Sequence, residues 1–260
     1  MSTPRPLAGF HHLTMIASHP AANLGFYRDV LGMRLVKKTV NFDDPGSYHL
    51  YYGDDTGSPG TLMTFFAWPN AGRGTRGVGE ITRLGIRTPK GAAAGGTEPD
   101  ALQLDLTEGA SRLESIEMTV ARREPTEDFM TRLLGFERQG DGSLRLGPAQ
   151  VEVKEDSAGA RGRQSAGSVH HVAWSVPSDE VELQWQARLR ESGVDVTPVR
   201  DRHYFHSIYF REPGGVLFEI ATDPPGFAID EPVEQLGEGL MLPAWMEPDR
   251  ERIAGVLPPI

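Results

Sequence analysis

The chain has 260 residues, of which 38% are hydrophobic and 24% charged, so it is long enough for one large or two small globular domains. Its net charge of −10 disfavours nucleic acid and anionic membranes as partners, and no apolar run approaches membrane-spanning length. The absence of cysteine excludes disulfides and thiolate chemistry, and the start of the chain lacks a signal-peptide core, so we predict a cytoplasmic protein.

The first segment, residues 8–70, has the pattern of four strands and one helix. Strand alternation runs from residue 10 to residue 17, and a helix is predicted at 21–31 because its apolar residues fall on one face. Gly32 follows that helix as a C-terminal cap, the usual place for a left-handed residue. Three further strands, which complete the order β-α-β-β-β, are predicted at 33–40, 48–52 and 61–68.

The second segment, residues 78–109, contains only two predicted strands, at 81–87 and 102–106. The Gly/Ala-rich stretch of residues 91–96 lies between them, and the gap is too short for a helix and two strands. We therefore predict a truncated module bridged by a flexible loop. Apolar surface left open by the lost elements would need cover from another subunit, so a homo-oligomer is predicted as well.

The third and fourth segments, residues 111–156 and 166–223, repeat the order of the first. The third has a predicted helix at 126–134 and strands at 113–120, 144–146 and 150–154. The fourth has a helix at 179–191 closed by Gly193, and strands at 169–176, 194–199, 207–211 and 216–222. A proline-rich C-terminal arm, residues 224–260, follows with a short helix near 249–255 and is expected to lie across the surface. Three placements of the arm are open: it covers the site mouth, meets a second subunit or docks on its own body.

A His-His dipeptide opens the first strand of the first segment at residues 11–12 and returns at residues 170–171 in the fourth segment. Aligning the four first strands places Arg83 and Ser115 at the position of the second histidine in the second and third segments. Only the first and fourth modules can therefore supply imidazole there. We predict an α+β fold in which these two modules pair around one metal-bearing cavity, while the third module is metal-free.

Glu219 lies on the last predicted strand of the fourth segment, at the position that Thr64 occupies in the first. Burial of an unpaired carboxylate in that apolar strand would destabilise the fold, so a cation is expected beside it. The two candidates for this cation are a metal ion and the guanidinium of Arg202. Two imidazoles and one carboxylate make the facial site that Fe(II) requires, so the predicted ligands are His12, His171 and Glu219. Thr64 is a poor ligand, which leaves positions for substrate and O₂. The alternative for each histidine is an ordinary hydrogen-bonded core residue.

Two stretches of the chain, Gly9–Met15 and Arg202–Asp223, resemble the vicinal-oxygen-chelate superfamily, which includes glyoxalase I, bleomycin-resistance proteins and extradiol ring-cleaving dioxygenases. Both stretches are most similar to the hydroquinone ring-cleaving branch. The resemblance covers nearly the whole chain and fails at the shortened second module. It implies curled mixed sheets and an enzyme that uses Fe(II), or alternatively Mn(II), to insert O₂ into a hydroquinone- or catechol-like diol.

The resemblance also implies roles for residues around the metal. His11 and His170 would lie next to the ligands, and His170 would exchange a proton with substrate or bound oxygen. Tyr209 would donate a hydrogen bond to a phenolate, and Arg202 would supply positive charge for an anionic ring or ring substituent. The alternatives are that the two histidines cap the sheet edge and that Tyr209 is an ordinary half-buried strand residue.

Four more polar residues have predicted positions. Thr14 lies two residues after His12 and so faces the same side of the strand, where it could orient bound substrate or a metal-bound water. His206 is predicted to line the pocket from a hairpin. His49 and His203 are predicted at the surface or at the rim of the site.

Two other functions remain open on the same fold. A metal-dependent lyase or isomerase of the glyoxalase type would need a fourth protein ligand, which Thr64 argues against. A non-catalytic small-molecule binder would not need His12, His171 and Glu219 together. No Gly-rich dinucleotide or phosphate motif occurs in a strand-turn-helix context, so no organic cofactor is predicted.

Overall fold

The computed structural model describes residues 4–91 and 96–260, which form two β-sheets with helices packed against them. The predicted α+β fold of mixed sheets is confirmed, because each sheet contains both parallel and antiparallel strand pairs. Most of the Gly/Ala-rich stretch that we predicted as a flexible loop lies outside the described residues.

The regular elements of the described residues are fourteen strands and four α-helices. The strands are β1 Phe10–Ala17, β2 Arg34–Asn41, β3 Asp44–Gly53, β4 Leu62–Ala67, β5 Glu80–Thr88, β6 Leu104–Glu108, β7 Arg112–Val120, β8 Glu137–Arg138, β9 Leu144–Leu146, β10 Ala149–Glu155, β11 Val169–Val176, β12 Arg200–Asp201, β13 His206–Arg211 and β14 Leu217–Thr222. The helices are α1 Pro20–Leu24, α2 Arg123–Asp128, α3 Asp179–Glu191 and α4 Arg250–Val256. The first two continue as π-helical turns, Gly25–Val30 after α1 and Phe129–Leu134 after α2. No helix among these is long and apolar enough to cross a membrane.

The larger sheet has eight strands in the order β12-β13-β14-β11-β1-β4-β3-β2, so it contains strands of the first and fourth segments. Its central pair, β1 and β11, is antiparallel, and each member has a parallel neighbour on its outer side, β4 and β14 respectively. The smaller sheet has the order β6-β5-β7-β10-β9-β8 and contains strands of the second and third segments. The two halves of the larger sheet are therefore related by an approximate twofold axis between β1 and β11.

The helices of the three complete modules end in the same way. Gly32, Gly135 and Gly193 follow them with φ values of 75°, 86° and 78°. Glycine adopts this left-handed conformation without a steric penalty, so the chain can leave the helix and turn towards the next strand. The repeated glycine is the local signal that the sequence carries for each module.

The second segment contributes only β5 and β6 to the described structure. The apolar side chains of β5, which are Ile81, Leu84 and Ile86, are at most 6% exposed and belong to the same core as the strands of the larger sheet. They are covered within one chain, so they do not provide the apolar surface that led us to predict a homo-oligomer. The homo-oligomer stays a prediction without that support.

The strand predicted at residues 194–199 is wrong, because only Val196 forms an isolated bridge there. Pro198 has no N–H to contribute to a ladder. Thr197 accepts the Tyr209 amide through its side-chain Oγ1 at 3.0 Å instead of through its backbone carbonyl. A proline and a competing side-chain acceptor therefore leave the edge of this sheet to the two-residue strand β12.

The C-terminal arm, residues 224–260, docks on the body of its own chain. Leu240 forms a bridge with Lys38 at the outer edge of β2. The side chain of Lys37 is fully buried and contacts the carboxylates of Asp230 and Glu231 at 2.6 and 2.5 Å. Because a buried ammonium needs a counter-charge, these contacts fix the arm beside β2.

Candidate active site

Three side chains meet where the central strands of the larger sheet pass each other. His12 comes from β1 and His171 from β11, and the antiparallel register places Thr14 opposite His171. Glu219 comes from β14 and lies opposite Ala173, two residues beyond His171. The Nε2 atoms of the two histidines are 3.3 Å apart, and Glu219 Oε2 is 3.4 Å from His12 Nε2 and 2.8 Å from His171 Nε2.

The donor atoms of this cluster fit a metal ion. All three lie within 4.8 Å of one another, and the three residues are buried. Glu219 Oε1 accepts a hydrogen bond from Ser207 Oγ, whereas the buried Oε2 faces the Nε2 atoms of the two histidines. Burial by itself raises the pKa of Glu219, but the neighbouring imidazoles hold it well below its usual range. An ionised carboxylate oxygen that faces two imidazole nitrogens is a site for a cation.

A fourth protein ligand is missing from the symmetry-related position. Thr64 on β4 stands opposite Thr14 as Glu219 on β14 stands opposite Ala173. Its hydroxyl is bonded to Thr14 Oγ1 at 2.8 Å and to His49 Nε2 at 2.9 Å. Thr64 is thus engaged with protein groups, and the cluster offers two imidazoles and one carboxylate.

His11 and His170 are turned towards the ligands by irregularities in the strands. The β1–β11 register shifts between Phe10 and His12 and again between Val169 and His171, so each preceding histidine sits at a bulge. Each bonds the histidine that follows it through the two Nδ1 atoms, at 2.8 Å for the first pair and 2.7 Å for the second. When Nε2 of the following histidine faces a metal, its Nδ1–H donates to this partner, which fixes the ring orientation.

A cavity of about 520 Å³ opens from the two histidines of the cluster to the surface. His12 and His171 lie in its wall, and Phe66, Phe205 and Trp68 supply aromatic surface. A volume of this size is in the range of small-molecule sites and accommodates one substituted aromatic ring.

Arg202 and Tyr209 lie in the same cavity wall, as the resemblance implies. Arg202 Nε donates to Tyr209 Oη at 3.0 Å, and its guanidinium lies over the Tyr209 ring at 5.3 Å. Burial raises the pKa of Tyr209, so the phenol keeps its proton. Since the Tyr209 oxygen accepts from Arg202, its own O–H remains free to donate to a molecule in the cavity. Arg202 is not hydrogen-bonded to Glu219, so the described contacts do not favour it as the cation that this carboxylate requires.

Three predicted positions differ from those in the structure. His206 is not among the described residues that line the cavity. Its side chain lies on the opposite face of β13 from those of Ser207 and Tyr209, and its Nδ1 is bonded to Asp179 Oδ1 of α3 at 2.7 Å. Thr14 is fully buried against Thr64 and does not reach the cavity either.

His49 is the third correction. We predicted it at the surface or rim, but it is 8% exposed and lines the cavity. Its Nδ1 is bonded to Tyr51 Oη at 2.9 Å, and burial lowers its pKa well below the usual value, so the ring is neutral. His203, predicted at the rim as well, stays there and contacts Asp230 and Trp245 of the arm.

Four residues of the site were not identified from the sequence: Asp43, His49, Tyr51 and Ser207. A signal existed for three of them. Tyr51 lies opposite Thr64 as Tyr209 lies opposite Glu219, so the two tyrosines are related by the approximate twofold axis. His49 and Ser207, each two residues before its tyrosine, are related in the same way. The signal was hidden because the turns that follow these strands differ in length in the two modules.

A family model agrees with this geometry. The model of the Glyoxalase/Bleomycin resistance protein/Dioxygenase superfamily matches residues 9–96 and 112–220 of the chain. The chain belongs to this superfamily. The matched residues include all three members of the candidate metal cluster, and the resemblance noted in the sequence is confirmed.

Full-length relatives within the superfamily are named as dioxygenases. The chain is 41% identical over 300 residues to a Bacillus subtilis (strain 168) protein named "Putative ring-cleaving dioxygenase MhqO", with 96% of each chain covered. It is 29% identical over 307 residues to the chlorohydroquinone/hydroquinone 1,2-dioxygenase of Sphingobium indicum, with 95% of each covered. Both alignments are longer than the 260 residues of this chain, so the relatives contain residues that have no counterpart in it. A shortened module in this chain would produce such a difference.

Solved structures of the superfamily show the same fold. A Bacillus subtilis crystal structure described as a "putative dioxygenase" matches with a TM-score of 0.90 and 39% identity, covering 98% of both chains. Maize glyoxalase I matches with a TM-score of 0.59 and 12% identity, covering 83% of this chain and 92% of the other, which shows the fold alone. With the relatives above, these matches support an oxygenase-type enzyme on this fold.

Proposed function

We propose that the chain is an Fe(II)-dependent dioxygenase that inserts O₂ into a hydroquinone-like aromatic diol and opens its ring. The single observation that carries the proposal is the convergence of the buried Glu219 Oε2 with the Nε2 atoms of His12 and His171. Two imidazoles and one carboxylate are the ligand set of Fe(II) oxygenases that keep positions free for substrate and O₂. The dioxygenase names of the relatives support insertion of O₂ as the reaction.

The metal would be held by His12, His171 and Glu219. When bound there, Fe(II) would lower the pKa of a coordinated hydroxyl and supply a redox centre for O₂, and Mn(II) is the alternative ion. Ser207 would hold one oxygen of Glu219 while the other faces the ion, and His11 and His170 would orient the two imidazoles.

The protein's contribution to the diol is position and proton transfer. Phe66 and Phe205 would enclose the ring, and the free O–H of Tyr209 would donate to a deprotonated hydroxyl. His170 lines the cavity, and burial lowers its pKa to about 3, so the ring is neutral at pH 7. Its Nδ1 would accept from His171, so the single proton of the neutral ring would lie on Nε2, which would donate it to an oxygen of the substrate.

The other two functions have less support. A lyase or isomerase of the glyoxalase type would need a ligand where Thr64 is bonded to Thr14 and His49. A non-catalytic binder would not explain why a buried carboxylate oxygen converges with two imidazole nitrogens. A cytoplasmic location and a homo-oligomeric state remain predictions of the proposal.

The test begins with anaerobic purification, reconstitution with Fe(II) and measurement of oxygen uptake with a panel of hydroquinones and catechols. We expect one iron per chain and one O₂ consumed per diol. Glu219→Gln should lose bound iron and reduce kcat/KM by at least about 1,000-fold, because the only anionic ligand is removed. Iron content, oxygen uptake and absorbance of the ring-opened product are the three measurements.

The second sheet supplies a matched control. Glu152 on β10 occupies the position in the smaller sheet that Glu219 occupies in the larger one, because it lies opposite Glu117 on β7 as Glu219 lies opposite Ala173 on β11. The Glu152 side chain is exposed. Glu152→Gln should keep both iron and activity. Iron-loaded protein that takes up no oxygen with any diol would contradict the proposal, and Zn(II)-dependent conversion of a hemithioacetal would favour the glyoxalase type instead.

A further inference from the structure

The hairpin between β2 and β3 closes one side of the cavity mouth. Its turn is held in place, because Asn41 Oδ1 accepts the Asp43 N–H at 3.0 Å and Trp68 Nε1 donates to Asp44 at 2.8 Å. Asn41, Asp43, Asp44 and Trp68 all lie in the cavity wall. The carboxylates at this tip therefore have defined positions at the entrance.

Asp43 pairs with the arginine that faces the substrate cavity. Arg202 Nη1 donates to Asp43 Oδ2 at 2.9 Å, while Nε of the same guanidinium donates to Tyr209. The contact joins the first module to the fourth across the mouth of the cavity. The Arg202 side chain is 21% exposed and the Asp43 side chain 71%, so the pair lies where a ligand enters.

The charges at the mouth are balanced. The cavity wall there contains two arginines, Arg200 and Arg202, and two aspartates, Asp43 and Asp44. A carboxylate on the substrate ring would find Arg202 already paired. Removal of the Asp43 charge would leave the guanidinium free to bind such a carboxylate through two parallel N–H bonds.

We propose that Asp43 is a specificity-determining residue that selects diols without an anionic ring substituent by keeping Arg202 paired. The proposal rests on the proposed function, since it names the substrate class of the same site. An ion pair this exposed is weak, so an anionic ring can compete with Asp43 and is disfavoured rather than excluded. The selection should therefore amount to about fivefold between neutral and anionic diols.

The experiment compares hydroquinone with 2,5-dihydroxybenzoate, its carboxylated analogue. The ratio of kcat/KM for the two diols is measured by oxygen uptake with the Fe(II)-loaded enzyme. The ratio of Kd values is measured separately by NMR titration of the metal-free full-length protein. Asp43→Asn should shift both ratios towards 2,5-dihydroxybenzoate by about fivefold, because one carboxylate no longer competes for Arg202.

Asp44→Asn is the matched control, because it removes the same charge from the same hairpin at a carboxylate bonded to Trp68 instead of Arg202. It should shift the ratios by less than about threefold. Unchanged ratios in Asp43→Asn, equal shifts in both variants, or no binding of either compound to the wild-type chain would overturn the proposal. Failure of the proposed function is distinguishable, because oxygen uptake would then be absent with every diol while the Kd ratio still reports on Asp43.

Discussion

His11 and His170 make the same Nδ1 contact to a predicted ligand but have different surroundings. His11 is 2% exposed and packs against the Phe205 ring at 5.0 Å. His170 lines the cavity, and its ring lies 5.4 Å from that of Phe66. Burial lowers the pKa of each to about 3, so both rings are neutral acceptors. The approximate twofold symmetry thus supplies two orienting residues, of which His170 alone is placed for chemistry.

A pair of substitutions separates these roles. His11→Ala and His170→Ala should each weaken metal binding by about 10- to 100-fold, because each removes the acceptor of a ligand's Nδ1–H. At saturating Fe(II), His170→Ala should also lower kcat by about 100-fold or more, whereas His11→Ala should keep kcat within a few-fold. Iron titration and oxygen uptake measure the two effects, and equal kcat values in the two variants would refute a proton-transfer role for His170.

At the level of elements, the smaller sheet shows what occupies the positions that correspond to the candidate metal cluster of the larger sheet. Arg83 on β5 occupies the position of His12, because it lies opposite Glu117 as His12 lies opposite Ala173. Asp105 on β6 occupies the position of Thr64, because it lies opposite Gly85 as Thr64 lies opposite Thr14. Arg83 Nη2 donates to Asp105 Oδ1 at 2.7 Å across these positions. A fixed guanidinium thus provides the cation beside a carboxylate there. Equivalent positions therefore hold a buried group that could bind a metal in the larger sheet and an ion pair in the smaller one.

Helix α3 carries a buried carboxyl group with no partner. Glu182 is fully buried against the larger sheet, and burial raises its pKa to about 7. Within residues 4–91 and 96–260, neither of its carboxyl oxygens has a hydrogen-bond partner. An unfolded glutamate ionises near pH 4.5, so between pH 4.5 and 7 the folded state holds a proton that the unfolded state releases. Glu182 therefore destabilises the fold progressively as the pH rises through this window.

Glu182→Gln tests this linkage. The variant does not titrate, so its stability relative to wild type should increase from pH 4.5 to 7 by about 3 kcal/mol and stay constant above that. Denaturant unfolding at pH 4.5, 6 and 8 measures the difference. The matched exposed variant Glu180→Gln on the same helix should show little pH dependence, and a flat difference for Glu182→Gln would contradict a raised pKa.

On the scale of the whole molecule, the C-terminal arm connects the body to the mouth of the cavity. Lys37 binds the arm through Asp230 and Glu231, and Trp245 of the arm packs its ring 5.9 Å from that of Phe42. Phe42 lies in the hairpin turn at the cavity mouth. The arm therefore supports the hairpin that presents Asp43 to Arg202, although none of its described residues lines the cavity.

Lys37→Met should release the arm, because two carboxylates at most 14% exposed would lose their ammonium. We expect a loss of about 3 kcal/mol in the free energy of unfolding and faster tryptic cleavage at Arg250 and Arg252. Lys38→Met, on the opposite face of β2, should change stability by about 0.5 kcal/mol or less. Equal cleavage rates in the two variants would show that the ion pair does not hold the arm.

Much of the fold follows from local pattern. The module order, the helix-terminating glycines and the position of the shortened module depend on periodicity and turn residues that neighbouring positions determine. The failed strand at residues 194–199 marks the limit of this reasoning, because Pro198 and the side chain of Thr197 alter a ladder that alternation alone would extend.

The sequence by itself determined which modules could hold a metal, because the repeated His-His pair and Glu219 occupy aligned positions in a repeat. Only the tertiary structure decided where the surrounding residues point. Four features depend on how distant segments pair. They are the bulges at His11 and His170, the position of His49 in the cavity wall, the orientation of His206 away from the cavity, and the ion pair of Asp43 with Arg202. Strand register and the approach of two hairpins arise from packing across the sheet, and a local pattern of residues does not specify that packing.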